Sequence, residues 1–145
     1  MKKVLLILFS AFLLVGCGNK TVELNFEEIQ KNVEETEVFG SLKVVSNEEM
    51  YNMHSIDSAL AEEILYIETT DPNKVDTYII VKVKDEKIKE QIKASFDAIE
   101  TQAEMYNQAN AYRIKNRLET TYEGYDIYIV SDDNQKVLEA IKANN

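Results

Sequence analysis

The chain is short of most residues from which compact reactive centres are built. It has one cysteine, one histidine, one proline, four glycines and no tryptophan in 145 residues. The lone cysteine, Cys17, excludes an internal disulfide and every cysteine-rich zinc site. Four glycines leave little material for phosphate-cradling loops, and no GxGxxG, P-loop or GxSxG pattern occurs. Basic residues are scarce too, with 16 Lys and Arg against 26 Asp and Glu and a formal net charge of −10. Nucleic acid and anionic lipid are therefore poor partners for the domain as a whole, and the acidic excess suits solubility. Internal repeats and low-complexity tracts are absent, and nothing marks a second domain.

One long hydrophobic run is present, and it stands at the start. Lys2 and Lys3 precede an apolar stretch from Val4 to Val15 broken only by Ser10, followed by Gly16 and Cys17. A basic start, a short apolar run and a small residue before a cleavage point make an export signal, and the run is too short to span a bilayer. Leu14-Val15-Gly16-Cys17 resembles the lipobox of bacterial lipoproteins. That resemblance implies cleavage between Gly16 and Cys17, a diacylglyceryl group on the Cys17 thiol, and a new amine open to acylation. Two acyl chains hold a protein on a membrane where one gives only marginal binding. The expected organisation is a signal peptide over 1–16, a lipidated tether over 17–24 and a single domain over 25–145. Cleavage leaves 14 of the 16 basic side chains against all 26 acidic ones, a net charge of −12.

Periodicity over the remainder alternates between helix and strand. Phe26, Ile29 and Val33 recur at helical spacing behind Asn25, which can cap, with Glu27 and Glu28 in the first turn. A short extended piece over 42–45 leads to Ser46 or Asn47, either able to cap a small helix carrying Met50 and Met53. Residues 63–69 and 75–84 predict two strands joined by the turn Asp71-Pro72-Asn73, with Ile79, Val81 and Val83 opposite Tyr78, Ile80 and Lys82. Asp85 opens the longest helix, whose Ile88, Ile92, Phe96, Ile99 and Ala103 form one apolar stripe. Burying each large apolar side chain of that stripe is worth ~1.5–3 kcal/mol. Residues 107–115 suggest a further helical piece. Two strands over 118–122 and 125–131 flank the tight-turn signal Glu123-Gly124, and Ser131-Asp132-Asp133 caps a last helix with Val137, Leu138 and Ile141 inside. The expected fold is α+β: a mainly antiparallel sheet of about four strands, covered on one face by the long amphipathic helix and a C-terminal helix.

Three stretches carry a family resemblance: Tyr51-Asn52-Met53-His54-Ser55-Ile56-Asp57, Val81-Lys82-Val83-Lys84-Asp85, and Tyr125-Asp126-Ile127-Tyr128-Ile129-Val130-Ser131-Asp132-Asp133. Together they resemble the Gram-positive lipoprotein family of domain of unknown function 4358, the Val-Ser-Asp-Asp ending being the distinctive part. The resemblance spans the chain from about residue 40 to the end and implies an address and a fold rather than an activity. Two departures stand out. The family's long helix carries an arginine shortly before a glutamine, where this chain has Ala98 before Gln102, and its Tyr-x-Pro loop is here Tyr106-Asn107-Gln108.

Candidate chemistry is sparse. His54 is the only base for a Ser-His-Asp arrangement, with Asp57 three residues on. Asp132-Asp133 is the densest carboxylate pair, but acids at a strand-to-helix junction are usually caps, and no calcium-loop spacing surrounds them. Glu34-Glu35, Glu48-Glu49 and Glu62-Glu63 could supply an acid/base pair only if two of them converge. No catalytic or metal-binding residue is assigned, and no cofactor is expected beyond the lipid on Cys17. The one compositional oddity is eight tyrosines. Tyr66, Tyr78, Tyr122, Tyr125 and Tyr128 fall on expected strands, where an exposed row would form a candidate surface for peptide or glycan. The favoured expectation is a non-enzymatic module held on the outer face of the membrane that binds an envelope protein, peptide or glycan. The alternative is an envelope hydrolase or metal-dependent enzyme using acidic residues.

Overall fold

A computed structural model describes residues 22–143. The expected signal segment 1–16, Cys17 and most of the tether lie outside the described residues. Among the described residues no helix is long and apolar enough to cross a membrane. The α+β class holds, and the elements follow in the order α1 (Phe26–Glu34), β1 (Leu42–Val44), α2 (Asn47–His54), β2 (Ala61–Thr69), β3 (Thr77–Val83), α3 (Lys87–Tyr106), α4 (Gln108–Lys115), β4 (Leu118–Tyr122), β5 (Tyr125–Val130) and α5 (Asn134–Lys142). The sheet has five strands in the order β1-β2-β3-β5-β4, each neighbouring pair antiparallel. The fifth strand is the short extended piece near residue 42, which becomes a strand because its backbone pairs with the end of β2, Leu42 opposite Thr69.

Local sequence accounts for most boundaries. The Asn25 side chain accepts from the Glu28 N–H at 3.1 Å and starts α1. Ser46 and Glu49 form a reciprocal capping box at α2: Ser46 Oγ accepts from the Glu49 N–H, and Glu49 Oε2 accepts from the Ser46 N–H at 2.9 Å. The α2 helix stops at Ser55, which is left-handed at φ 56°. The turn between β4 and β5 has positive φ at both Glu123 (50°) and Gly124 (83°), the hand that matches strand twist.

Both faces of the sheet are covered, which corrects the one-face expectation. On one side α2, α3 and α4 bury Met50, Ile88, Ile92, Phe96 and Ile114 against Tyr66, Ile79, Val81 and Tyr128. On the other, α1 and α5 bury Ile29, Val33, Val137, Leu138 and Ile141 against Leu65, Ile67, Tyr78, Ile80, Ile127 and Ile129. The physical reason lies in β3. Consecutive residues Tyr78-Ile79-Ile80-Val81 are all buried, so each pleated face presents apolar side chains that need a helix above them. The chain meets the α1 side through Leu24, whose N–H donates to the Tyr125 hydroxyl at 3.4 Å.

Candidate functional site

The strand tyrosines do not form an exposed row. Tyr66, Tyr78, Tyr125 and Tyr128 are buried, and Tyr122 is half-buried beneath the Lys142 ammonium, which lies 5.3 Å from the ring centroid. They also divide between the two layers, Tyr66 and Tyr128 facing α3 and the other three facing α1 and α5. An antiparallel sheet sandwiched between helices uses tyrosine as a large core residue, and two of the hydroxyls have internal partners, Tyr66 at His54 and Tyr125 at Glu63. Burial pushes the Tyr128 hydroxyl up to about 12 and drives Tyr66 and Tyr78 upward still further. Tyr125, also raised to about 12 chiefly by burial, donates to the Glu63 carboxylate.

The carboxylate pairs are likewise structural. Asp133 accepts from the Lys136 N–H at 3.0 Å and caps α5, while Asp132 meets Arg113 at 3.1 Å. Glu62 pairs with Lys82 at 3.2 Å, and Glu49 serves the capping box. Asp57 points away from His54: its Oδ1 accepts from the Ala59 N–H, and its own N–H donates to Gln91 Oε1 at 2.9 Å. Among the described residues no group of three His, Cys, Asp or Glu is placed to hold a metal ion.

The acid that does reach His54 is Glu68, one strand away. Tyr66 and Glu68 are i and i+2 on β2 and so share a sheet face, and α2 delivers His54 above them. Tyr66 Oη lies 3.1 Å from His54 Nδ1, and the two ring centroids are 4.8 Å apart. His54 Nε2 is 3.2 Å from Glu68 Oε2, within ion-pair range but off the line of an N–H···O hydrogen bond. The carboxylate favours the ring proton on Nε2, which leaves Nδ1 to accept from Tyr66. Lys43, directly opposite Glu68 in the β1–β2 register, bridges Glu68 at 3.2 Å and Glu49 at 2.9 Å. The His54 contact, followed by Lys43, outweighs burial and holds the Glu68 carboxyl below its ordinary value. Glu49 is lowered to about 2, first by its bond from the Ser46 N–H and then by Lys43.

Ser95 Oγ stands 3.5 Å from the same Nδ1, so Ser95, His54 and Glu68 have the composition of a nucleophile, a base and an acid. The distances decide the reading. Tyr66 sits closer and occupies the nitrogen lone pair that would have to take the serine proton, and Ser95 lies in the middle of α3 with no free backbone N–H donors around it. The network is a clamp joining α2 to the sheet. Because the folded-state Glu68 is the stronger acid, its contribution is present above its unfolded value near 4.5 and fades as pH falls through the lower folded value. Glu68→Gln should therefore cost about 1 kcal/mol in urea unfolding at pH 7, and the gap from the parent should be smaller at pH 4 than at pH 7. An equal loss at both pH values would contradict this assignment.

Above the clamp lies open space. A cleft of about 420 Å³ runs between the end of α2 and the middle of α3, with His54, Gln91, Ser95, Ala98 and Gln102 in its walls. It adjoins a second cleft of about 350 Å³ bounded by the 72–75 turn, Tyr106 and Asn110, and a third of about 190 Å³ above Glu68 and Val75. Ile99 and Gln102 line both of the first two, which together make a groove along α3, while the third meets them at Ile99 and is lined by Glu68, Asp71, Lys74 and Asp76. Five of the seven exposed large apolar residues described belong to the helices of this layer: Tyr51 and Met53 on α2, Met105 and Tyr106 on α3, and Tyr112 on α4. None of the seven lies on α1 or α5. Sequence reasoning missed Glu68, Ser95 and the groove. The i, i+2 spacing of Tyr66 and Glu68 was the only local signal, since Ser95 sits between Ile92 and Phe96 like any small core residue.

No family model, no curated protein and no solved structure matches this chain.

Proposed function

We propose that the protein is an extracytoplasmic lipoprotein, anchored to the membrane through Cys17, whose domain is a non-enzymatic binding module of the cell envelope. Its recognition face is the α2–α3–α4 layer. The observation that carries the reading is that exposed tyrosine and methionine fall on the helices of that one layer, with Met53 and Tyr106 lining the groove along α3. Aromatic and methionine side chains are enriched where surfaces bind partners. The lipobox-like Leu14-Val15-Gly16-Cys17 and the resemblance to the domain of unknown function 4358 lipoproteins support the address. A hydrolase is the second reading, favoured only by the proximity of Ser95, His54 and Glu68.

Two measurements test this. Cys17→Ala should abolish lipid labelling and move the protein out of the detergent phase of membrane extracts; unchanged acylation and retention would sink the anchor. For the face, a photo-crosslinking residue at Met105 or Tyr112 should capture a specific envelope partner in living cells where one at Glu139 on α5 does not. Equal capture from both sides, or capture only at Glu139, would overturn the assignment.

A further inference from the structure

We propose that the groove along α3 takes a neutral, N-acetylated glycan. This rests on the reading of the α2–α4 layer as the recognition face and names what that face receives. The first observation is charge. In a chain that is 29% Asp, Glu, Lys and Arg, none of the nine residues lining the 420 Å³ cleft belongs to those four types, and Lys74 is the one such residue lining the 350 Å³ cleft beside it. A charged ligand buried in the first of these would lose hydration without a counter-charge, and a polyanion would also meet the field of an acidic protein.

The second observation is the kind of polar group present. Gln91 has its carbonyl committed to the Asp57 N–H, so its NH2 remains to donate into the cleft. Gln102, Ser55 and Ser95 add an amide and two hydroxyls. Neutral groups that both donate and accept match sugar hydroxyls and acetamide groups. Ala98 and Ile99 present small apolar surface between them, suited to an acetyl methyl. At the far end Tyr106, 81% exposed, offers an aromatic face for the CH side of a ring. From Gln91 to Tyr106 the helix rises about 22 Å, room for a short oligosaccharide rather than a single sugar. A peptide fits less well, because the groove is walled by helix sides and a turn and offers no free strand edge for backbone pairing.

The test uses the detergent-extracted full protein with the N-acetylglucosamine tetramer as probe, followed by calorimetry and amide-shift mapping. Saturable binding is expected, with shifts at Gln91, Ser95, Ala98, Gln102 and Tyr106. The exposed-site variants Gln102→Ala and Tyr106→Ala should each weaken it by about tenfold or more, and Ala98→Arg should block it. The de-N-acetylated tetramer and an end-blocked neutral tetrapeptide should bind far less well. Equal binding of the deacetylated probe, preference for the peptide, or shifts confined to α1 and α5 would overturn the proposal. If the tetramer does not bind while crosslinkers at Met105 and Tyr112 still capture a partner, the glycan is wrong and the recognition face stands. If both fail, both are wrong.

Discussion

Replacing Arg113 by methionine should cost about 3–5 kcal/mol at pH 7, a large share of the ~5–15 kcal/mol that holds a domain of this size together. Asp76, at the start of β3, is 1% exposed and receives the Arg113 guanidinium directly. Arg113 also reaches Asp132 at 3.1 Å, so one side chain joins α4, β3 and the β5–α5 junction. Lys74 lies at 4.0 Å from Asp76, too far to replace it. Even with Arg113 present, burial wins and holds the Asp76 carboxyl above its ordinary value. Removing the guanidinium leaves only the more distant Lys74 charge against burial. An acid raised by folding destabilises as pH rises past its unfolded value near 3.8, because the unfolded chain releases the proton first. The penalty in the variant should therefore shrink as pH is lowered from 7 towards 4, and adding Asp76→Asn should recover much of it at pH 7. Urea unfolding followed by circular dichroism decides the matter. A loss below about 1 kcal/mol, or one independent of pH, would show that the pair is dispensable.

Phe96→Ala should cost a similar amount, about 3–5 kcal/mol, for a different reason. Phe96 is 2% exposed on the inner side of α3, its ring centroid 6.1 Å from that of Tyr128, with the Arg117 guanidinium carbon 4.9 Å from the ring centroid. Truncation removes apolar burial, leaves a cavity between helix and sheet and takes away the surface on which Arg117 rests. Phe96→Leu keeps most of the volume and should cost less than about 2 kcal/mol. Two residues on, Ala98→Ser on the exposed side should stay within about 0.5 kcal/mol of the parent. If Phe96→Ala and Ala98→Ser behave alike in urea unfolding, the assignment of this helix face to the core is wrong.

Much of the fold was legible because local chemistry and the long-range answer agree. Asn25 and Asp133 cap helices in place, the Ile88–Ile92–Phe96 stripe is the buried face of α3, and Glu123-Gly124 makes the turn its composition implies. The failures were of one kind. A strand such as Tyr78-Ile79-Ile80-Val81 shows apolar residues at both parities, and whether one or both faces are covered depends on where α1 and α5 travel. The same uncertainty placed five tyrosines on a surface, although four are core. His54 shows the limit for sites: its acid is 14 positions away on another element, brought near by β2 register and the stop at Ser55, while the carboxylate of neighbouring Asp57 is taken by the Ala59 N–H.

The Leu24–Tyr125 bond has a consequence for how the domain stands on a membrane. It pins the incoming chain to the α1 side of the sheet, and six residues lie between Cys17 and Leu24, a reach of at most about 25 Å over seven Cα–Cα steps. Under the proposed anchoring, so short a leash tilts the α1–α5 side towards the lipid and turns the groove outward. Lengthening the leash would then matter little to what is bound and much to how far from the bilayer it can be found.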